Sequence, residues 1–270
     1  MKRSTFSLIL IGLLLLAGLL VAITVLSPQV KADVEAVDAA NQLYATGHYA
    51  EAIQLYEGQV VRGVQDSALF FNLGNAYFQQ GDLGRAVLNL ERAAQLNPRD
   101  ADIQINLGLV REQTTELFAA EPVGPLAVLA DATGWMTANE TAVIILGFWF
   151  LLGFLILARR QANSGKARKA LQIGALVVLA LLFISGASLA SRSFLEKTQP
   201  AGVVVSPTVA VSNGPGVEYA TEFTLNGGTE VNFTATQGEW VRLAVPEGAG
   251  ENWIPAQAVE TVADLPTTVS

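Results

Sequence analysis

The chain contains no cysteine among its 270 residues. That excludes disulfides, zinc–thiolate sites, cysteine-ligated iron–sulfur clusters and cysteine nucleophiles, and it removes the usual clue to redox compartment. There is one histidine, His48. A multi-histidine metal site is therefore excluded and a histidine-based triad has no support; the turn setting of His48 suits a solvated residue. Charge is scarce, at 15% of residues against roughly 25% in ordinary soluble domains. Bases are rarer still: 16 Lys and Arg stand against 24 Asp and Glu, a net charge of −8. Residues 33–140 carry 15 acids and 5 bases, and residues 199–270 carry 8 acids and 1 base. Acidic surfaces repel phosphate backbones, so nucleic-acid binding is not expected. No catalytic constellation is legible either. Asp100 and Asp102 stand at a helix start, where capping explains them. The Gly214-Pro215-Gly216 stretch has no following Lys-Ser/Thr and so is no phosphate loop. The expectation is a non-enzymatic protein with no cofactor.

What the sequence has instead is apolar residues, 51% of the total, gathered into three blocks. Residues 6–26 follow Lys2 and Arg3 and are long enough to cross a bilayer core of about 30 Å. They read either as a secretory signal cut after Ala32 or as an uncleaved anchor, so 1–32 forms a targeting segment. Residues 141–158 and 170–191 carry no charged side chain. Runs of this length without charge are rare in soluble cores, and two transmembrane helices are expected. Their lack of intramembrane charge disfavours a transporter or channel. The connecting residues 159–169 hold Arg159, Arg160, Lys166, Arg168 and Lys169 and no acid. A short loop this basic belongs on the cytoplasmic side. That places 33–140 and 192–270 outside a bacterial cytoplasmic membrane crossed more than once. The linker 118–140 is broken by Pro122, Gly124 and Pro125, after which Leu126, Val128, Leu129 and Trp135 recur. It reads as an interfacial helix with Trp135 at headgroup depth, or as an ordinary connection.

Residues 33–117 show helical periodicity and repeat themselves at 34 residues. Gly47 and Gly81, Ala52 and Ala86, Asn41 and Asn75, and Ile53 and Val87 are each 34 apart, and Leu73-Gly74 recurs as Leu107-Gly108. Gly74 and Ala86 are small enough for two helices to approach, Gly81 suits a tight turn, and Pro98 stops the second helix. With Asn72-Leu73-Gly74-Asn75-Ala76-Tyr77, Gly81-Asp82-Leu83, Leu90, Ala93 and Asn97-Pro98, this pattern resembles the tetratricopeptide repeat family most closely in 67–100. Gln59 and Val64 depart from it in the first repeat, and Arg111 replaces an expected aromatic after 101. Two repeats and a capping helix are expected. The resemblance implies that the first helix of each repeat lines a peptide or protein groove, here presenting Asn41, Tyr44, Phe71, Asn75, Phe78, Gln79, Leu109 and Glu112. The aromatic members of this set are open to a second reading, as packing residues within the array. No base stands at these positions to clamp a terminal carboxylate.

Residues 200–264 change character. Val203-Val204-Val205, Val209-Ala210-Val211, Val231-Asn232-Phe233, Trp240-Val241-Arg242-Leu243 and Trp253-Ile254 read as strands, with turns at Asn213-Gly214-Pro215-Gly216 and Asn226-Gly227-Gly228. Five short strands in this length suggest a small closed all-β barrel. The order of landmarks resembles the bacterial SH3 family, which implies binding to peptides or cell-wall fragments. Tyr219, Trp240 and Trp253 are the candidate face, with barrel core as the other reading of the two tryptophans. Gly248 and Gly250 predict a slack final hairpin.

Taken in order, an exported start, tetratricopeptide repeats, an interfacial segment, a transmembrane hairpin and an SH3-like module resemble the BatE-type family of bacterial aerotolerance operons over almost the full chain. The resemblance implies membrane-anchored von Willebrand A-domain partners and an associated chaperone-like ATPase. A membrane-anchored scaffold for protein–protein interaction is the favoured expectation; a cell-envelope sensor gripping peptidoglycan is the alternative.

Overall fold

The computed structural model of the protein describes residues 31–114, 125–244 and 251–263. The targeting segment, the break at Pro122 and Gly124, and the slack stretch at Gly248 and Gly250 lie outside the described residues. The chain divides into two compact units, one covering 29–123 and 194–270, the other centred on 124–193.

The first unit opens with five helices: α1 (Val34–Ala45), α2 (Tyr49–Val61), α3 (Ser67–Gln80), α4 (Leu83–Leu96) and α5 (Ala101–Arg111). Four of them start on an aspartate. Asp33, Asp66, Asp82 and Asp100 each accept a hydrogen bond from a first-turn backbone N–H, which satisfies donors that a helix leaves unpaired at its start. The α1–α2 and α3–α4 turns carry Gly47 and Gly81 at φ +80° and +82°, the left-handed region that glycine enters without steric cost. At Gly74 a Cβ would lie 2.9 Å from Leu90 Cγ and 3.2 Å from the Ala86 carbonyl oxygen. The small residue there sets the closeness of α3 and α4.

The 34-residue register is written into the contacts. Asn72 Nδ2 donates to Asn41 Oδ1 at 3.1 Å, and Asn106 Nδ2 to Asn75 Oδ1 at 2.8 Å. The Tyr77 hydroxyl donates to Glu57, and one repeat later Arg111 donates to Glu91. Residues 33–66 thus form a complete helix pair despite the weaker sequence pattern. Gln59, one of its departures, is buried and accepts the Asp33 backbone N–H at 3.0 Å, joining α2 to the start of α1.

Among the described residues the C-terminal segment forms seven strands: β1 (Ala201–Val204), β2 (Thr208–Ser212), β3 (Thr221–Asn226), β4 (Glu230–Gln237), β5 (Trp240–Leu243), β6 (Trp253–Pro255) and β7 (Val259–Thr261). They pair antiparallel in the order β3-β2-β6-β5-β4-β1-β7. The five expected strands correspond to β1, β2, β4, β5 and β6; β3 and β7 were not expected. Only Leu225 is buried in β3 and β7 has three residues, none of them buried, so neither carries a strong apolar pattern. Val209, Val211, Leu225, Val231, Val241, Leu243 and Ile254 make the core of this sheet.

The repeats and the sheet lie in one compact unit. Val203, Val205 and Val262 belong to the core of the repeats. At Gly84, in the first turn of α4, a Cβ would lie 2.6 Å from the Val204 carbonyl oxygen and 2.9 Å from Val205 Cα. Helix and strand backbones touch there directly. Arg92, on the same helix and 5% exposed, donates Nη2 to the Thr261 carbonyl at 2.9 Å and Nε to the Val262 carbonyl at 3.4 Å.

The second unit holds α6 (Pro125–Asp131), α7 (Ala138–Gln161) and the start and body of α8 (Gly165–Thr198). A reciprocal cap opens α7: Glu140 N–H donates to Thr137 Oγ1 at 3.2 Å and Thr137 N–H to Glu140 Oε2 at 2.9 Å. Both helices overrun the apolar blocks, so only Ala162, Asn163 and Ser164 of the basic loop expected over 159–169 are non-helical, a three-residue corner between the helices. Arg159 and Arg160 end α7, where cations suit the helix terminus, and Lys166, Arg168 and Lys169 begin α8. All five are exposed. These two helices are long and apolar enough to cross a membrane, and little of either is buried. The segment before α7 is tied to α8: Thr133 Oγ1 and Ser188 Oγ lie 2.7 Å apart, Ser188 Oγ donates to the Ala130 carbonyl at 3.3 Å, and Arg192 Nη1 to the Met136 carbonyl at 3.1 Å. Leu126, Val128 and Trp135 stay exposed.

Candidate functional site

The first helices of the repeats, α1, α3 and α5, place the predicted groove residues in register. Asn41, Gln79, Leu109 and Glu112 are exposed, and Tyr44, Phe71, Asn75 and Phe78 are half-buried. The two readings of the aromatic residues merge here. Tyr44, Phe71 and Phe78 pack one side against the repeat core and keep part of their surface accessible. The asparagines are held by the scaffold: Asn41 Oδ1 accepts from the Tyr56 hydroxyl at 2.6 Å as well as from Asn72, and Asn75 Oδ1 accepts from Asn106. With the carbonyl ends so fixed, the side-chain N–H groups of Asn41 and Asn75 point their donor capacity away from these partners.

Sequence reasoning missed Ile105, 59% exposed on α5 and one 34-residue step beyond Phe71. With Leu109, 51% exposed and one turn further along α5, it extends the apolar face. The period alone would have found it, as it would Asn72 and Asn106. Burial and the neighbouring Tyr49, ring centroids 5.3 Å apart, raise the Tyr44 hydroxyl above its ordinary value, and burial pushes Tyr56 up to about 12. Both are neutral donors near pH 7. The charged side chains of these helices are Glu35, Asp38, Asp102 and Arg111, and Arg111 is engaged elsewhere.

That engagement is a charge cluster at the seam with the sheet. Arg111 Nε donates to Glu230 Oε1 at 2.6 Å and Nη2 to Glu230 Oε2 at 3.0 Å, while Nη2 also meets Glu91. One guanidinium therefore serves two carboxylates, one from α4 and one from β4. Burial first, and the Glu230 charge second, push the Glu91 carboxyl up to about 7 against the pull of Arg111. The aromatic-to-arginine departure seen in the sequence is thus the point where the repeats grip the sheet.

The three residues expected on the face of the β module part company. Tyr219 is 44% exposed and lies over Gly214, where a Cβ would come 2.3 Å from its ring. Trp240 is half-buried in β5, opposite Gln237 and Pro255. Trp253 is 4% exposed, with its Nε1 donating to Glu251 Oε2 at 3.4 Å and the Arg242 guanidinium 5.9 Å over its ring. Trp253 is thus buried, and its ring is covered on the Arg242 side. Among the described residues no group of three His, Asp or Glu side chains could hold a metal ion.

A family model described as TPR repeat matches residues 74–114. The match starts at Gly74 of α3, runs through α4 and α5, and ends at Thr114. The α1–α2 pair before it shares its asparagine rungs and its turn glycine. TPR repeats generally mediate protein–protein interactions. A search of curated proteins finds no match.

Proposed function

We propose that the protein is a non-enzymatic membrane scaffold that recruits protein partners through the first-helix face of its repeats. One observation carries this reading: the sheet buries its contact surface on α4 and on Arg111, while Tyr44, Phe71, Phe78, Ile105 and Leu109 on the first helices keep exposed surface. The β module, with its antiparallel order and its Gly238-Glu239 turn leading into Trp240-Val241, is read as an SH3-like barrel whose role is partly to brace the array. Such arrays usually need about three repeats for stability, and the valines of β1 lengthen this one's core.

The two apolar helices are read as a transmembrane hairpin. Their low burial and the five exposed cations at the corner support insertion with the corner facing the cytoplasm, which leaves repeats and sheet outside the cytoplasmic membrane. The resemblance to the BatE-type family makes membrane-anchored von Willebrand A-domain proteins the first partners to test. Because the chain lacks cysteine, a single cysteine can be placed at will. At Gln79 it should react with a membrane-impermeant maleimide on intact spheroplasts; at Ala167 it should react only after permeabilisation. The reverse pattern would refute the orientation.

A further inference from the structure

We infer that the corner between α7 and α8 is a binding site for the headgroup phosphate of anionic phospholipids. The inference rests on reading these helices as a transmembrane hairpin. Five cations, Arg159, Arg160, Lys166, Arg168 and Lys169, are exposed at the corner, and residues 141–195 hold no Asp or Glu to balance them. The helices themselves keep the nearest acids in sequence away. With a rise of about 1.5 Å per residue, Glu140 on α7 lies roughly 28 Å along its axis from Arg159. By the same measure Glu196 on α8 lies roughly 40 Å from Lys169. Both separations far exceed the screening length of about 8 Å at physiological salt. The counter-charge of this corner therefore comes from outside the two helices.

The arrangement also runs against the helix dipole. Helix starts favour anions, yet α8 starts with Lys166, Arg168 and Lys169 and has no acid in its first turn. An anion at the corner removes that mismatch, and depth identifies the anion. Arg159 and Arg160 directly follow the apolar run that ends at Ala158, and the other three cations directly precede the run that begins at Ala170. All five lie within about 6 Å of an apolar run along the helix axis. That is inside the headgroup layer, about 5–7 Å deep on each side of the bilayer core, where the available anion is the lipid phosphodiester. Two guanidinia, one from each helix, are already positioned. Arg168 donates Nε to the Ala162 carbonyl at 2.9 Å, and Arg159 donates Nη2 to Gln172 Oε1 at 3.4 Å. The Nη groups of Arg168 form the fork that takes a pair of phosphate oxygens, and the lysines add point charges. An acidic protein segment would have to enter the headgroup layer to reach cations set this close to the apolar runs.

The test uses the full chain with a single cysteine carrying a fluorophore, at Asn163 of the corner or at Ala138 at the other end of α7. Each is reconstituted into phosphatidylcholine nanodiscs that contain spin-labelled phosphatidylglycerol or spin-labelled phosphatidylcholine as quencher. At position 163 phosphatidylglycerol should be selected about fivefold, the factor that one cation is worth at an anionic surface. At position 138 the two lipids should quench alike. Arg160→Gln, Lys166→Gln and Lys169→Gln together should lower the preference at 163 to below about twofold, with helix content unchanged by circular dichroism. Excess inorganic phosphate should leave the preference intact; its loss there would assign the corner to free phosphate and overturn the lipid assignment. Equal quenching by both lipids at 163 would overturn the inference and leave the cations to an acidic protein segment. A preference untouched by the triple variant would overturn it as well. Quenching by neither lipid at either position would instead sink the transmembrane reading, so the two failures are told apart.

Discussion

Replacing Gly84 by alanine should have a sign opposite to the one helix propensity gives. In a helix, alanine is favoured over glycine by up to about 1 kcal/mol. Here the new Cβ would meet the Val204 carbonyl oxygen at 2.6 Å and Val205 Cα at 2.9 Å. Both are backbone atoms, and β1 is held on its other sides by β4 and β7, so relief requires the strand to move off α4. Overpacking of this kind costs about 1–3 kcal/mol, which offsets or exceeds the propensity gain and leaves a net loss of up to about 2 kcal/mol at the seam. Gly58 in α2 is the control, since a Cβ there meets nothing within 4 Å; Gly58→Ala should stabilise by roughly 0.5–1 kcal/mol. Amide hydrogen exchange on the full chain reads both. Opening of β1 and β7 should become up to about 30-fold more frequent in Gly84→Ala, with the sheet's inner strands less affected, while Gly58→Ala should slow exchange in α1 and α2. Unchanged or slower exchange in β1 of Gly84→Ala would refute the close docking of sheet on repeats.

Other consequences concern the charges and the asparagine rungs. The Glu91 carboxyl sits at about 7 in the folded state against 4.5 ordinarily, so the folded state binds the extra proton between those values. Stability of this unit should therefore fall as pH rises from 4.5 to 7 and level off above, by at most about 3 kcal/mol; denaturant titrations across that range should show the slope, and Glu91→Gln should flatten it. Arg111→Leu leaves Glu91 and Glu230 facing each other, so it should destabilise most near pH 8 and recover partly on acidification, which thermal unfolding at two pH values will show. Arg92→Met strips a buried donor from the Thr261 and Val262 carbonyls and should cost about 2–3 kcal/mol in the same assay. Asn106→Ala removes one rung and should cost about 0.5–1.5 kcal/mol, with little change at the other rung as judged by exchange at Asn72.

How much of this was legible depended on range. Local and periodic features were: Gly81 at its left-handed turn, Gly74 against Leu90, and the 34-residue step that places Asn41 and Asn75 alike. Two helices with the length and apolarity to cross a membrane were also read correctly, although their ends were set too short. The blocks were bounded by charge, and helices do not stop at the last apolar residue: Thr137 with Glu140 caps α7 three residues before its block begins, and arginine continues the helix past its end. The long-range pairings were not legible. Arg111 stood out as a departure, but nothing near it in sequence names Glu230, 119 residues away. Gly84, Arg92 and Val203 look ordinary alone, and only the docking of β1 and β7 gives them a role. Strand β3 escaped because a strand with one buried residue has almost no apolar alternation to read.

The central claim is that the first-helix face meets a protein partner in the native membrane. A photoreactive benzophenone side chain placed at Gln79 in the full chain, irradiated in native membranes, tests it directly, with the same group at Glu51 on the exposed side of α2 as reference. A discrete adduct from position 79 that is absent at position 51, and that is lost when Phe71 and Phe78 are replaced by alanine in a folded chain, is the expected result. Adducts of equal yield at both positions, or none at position 79, would contradict it.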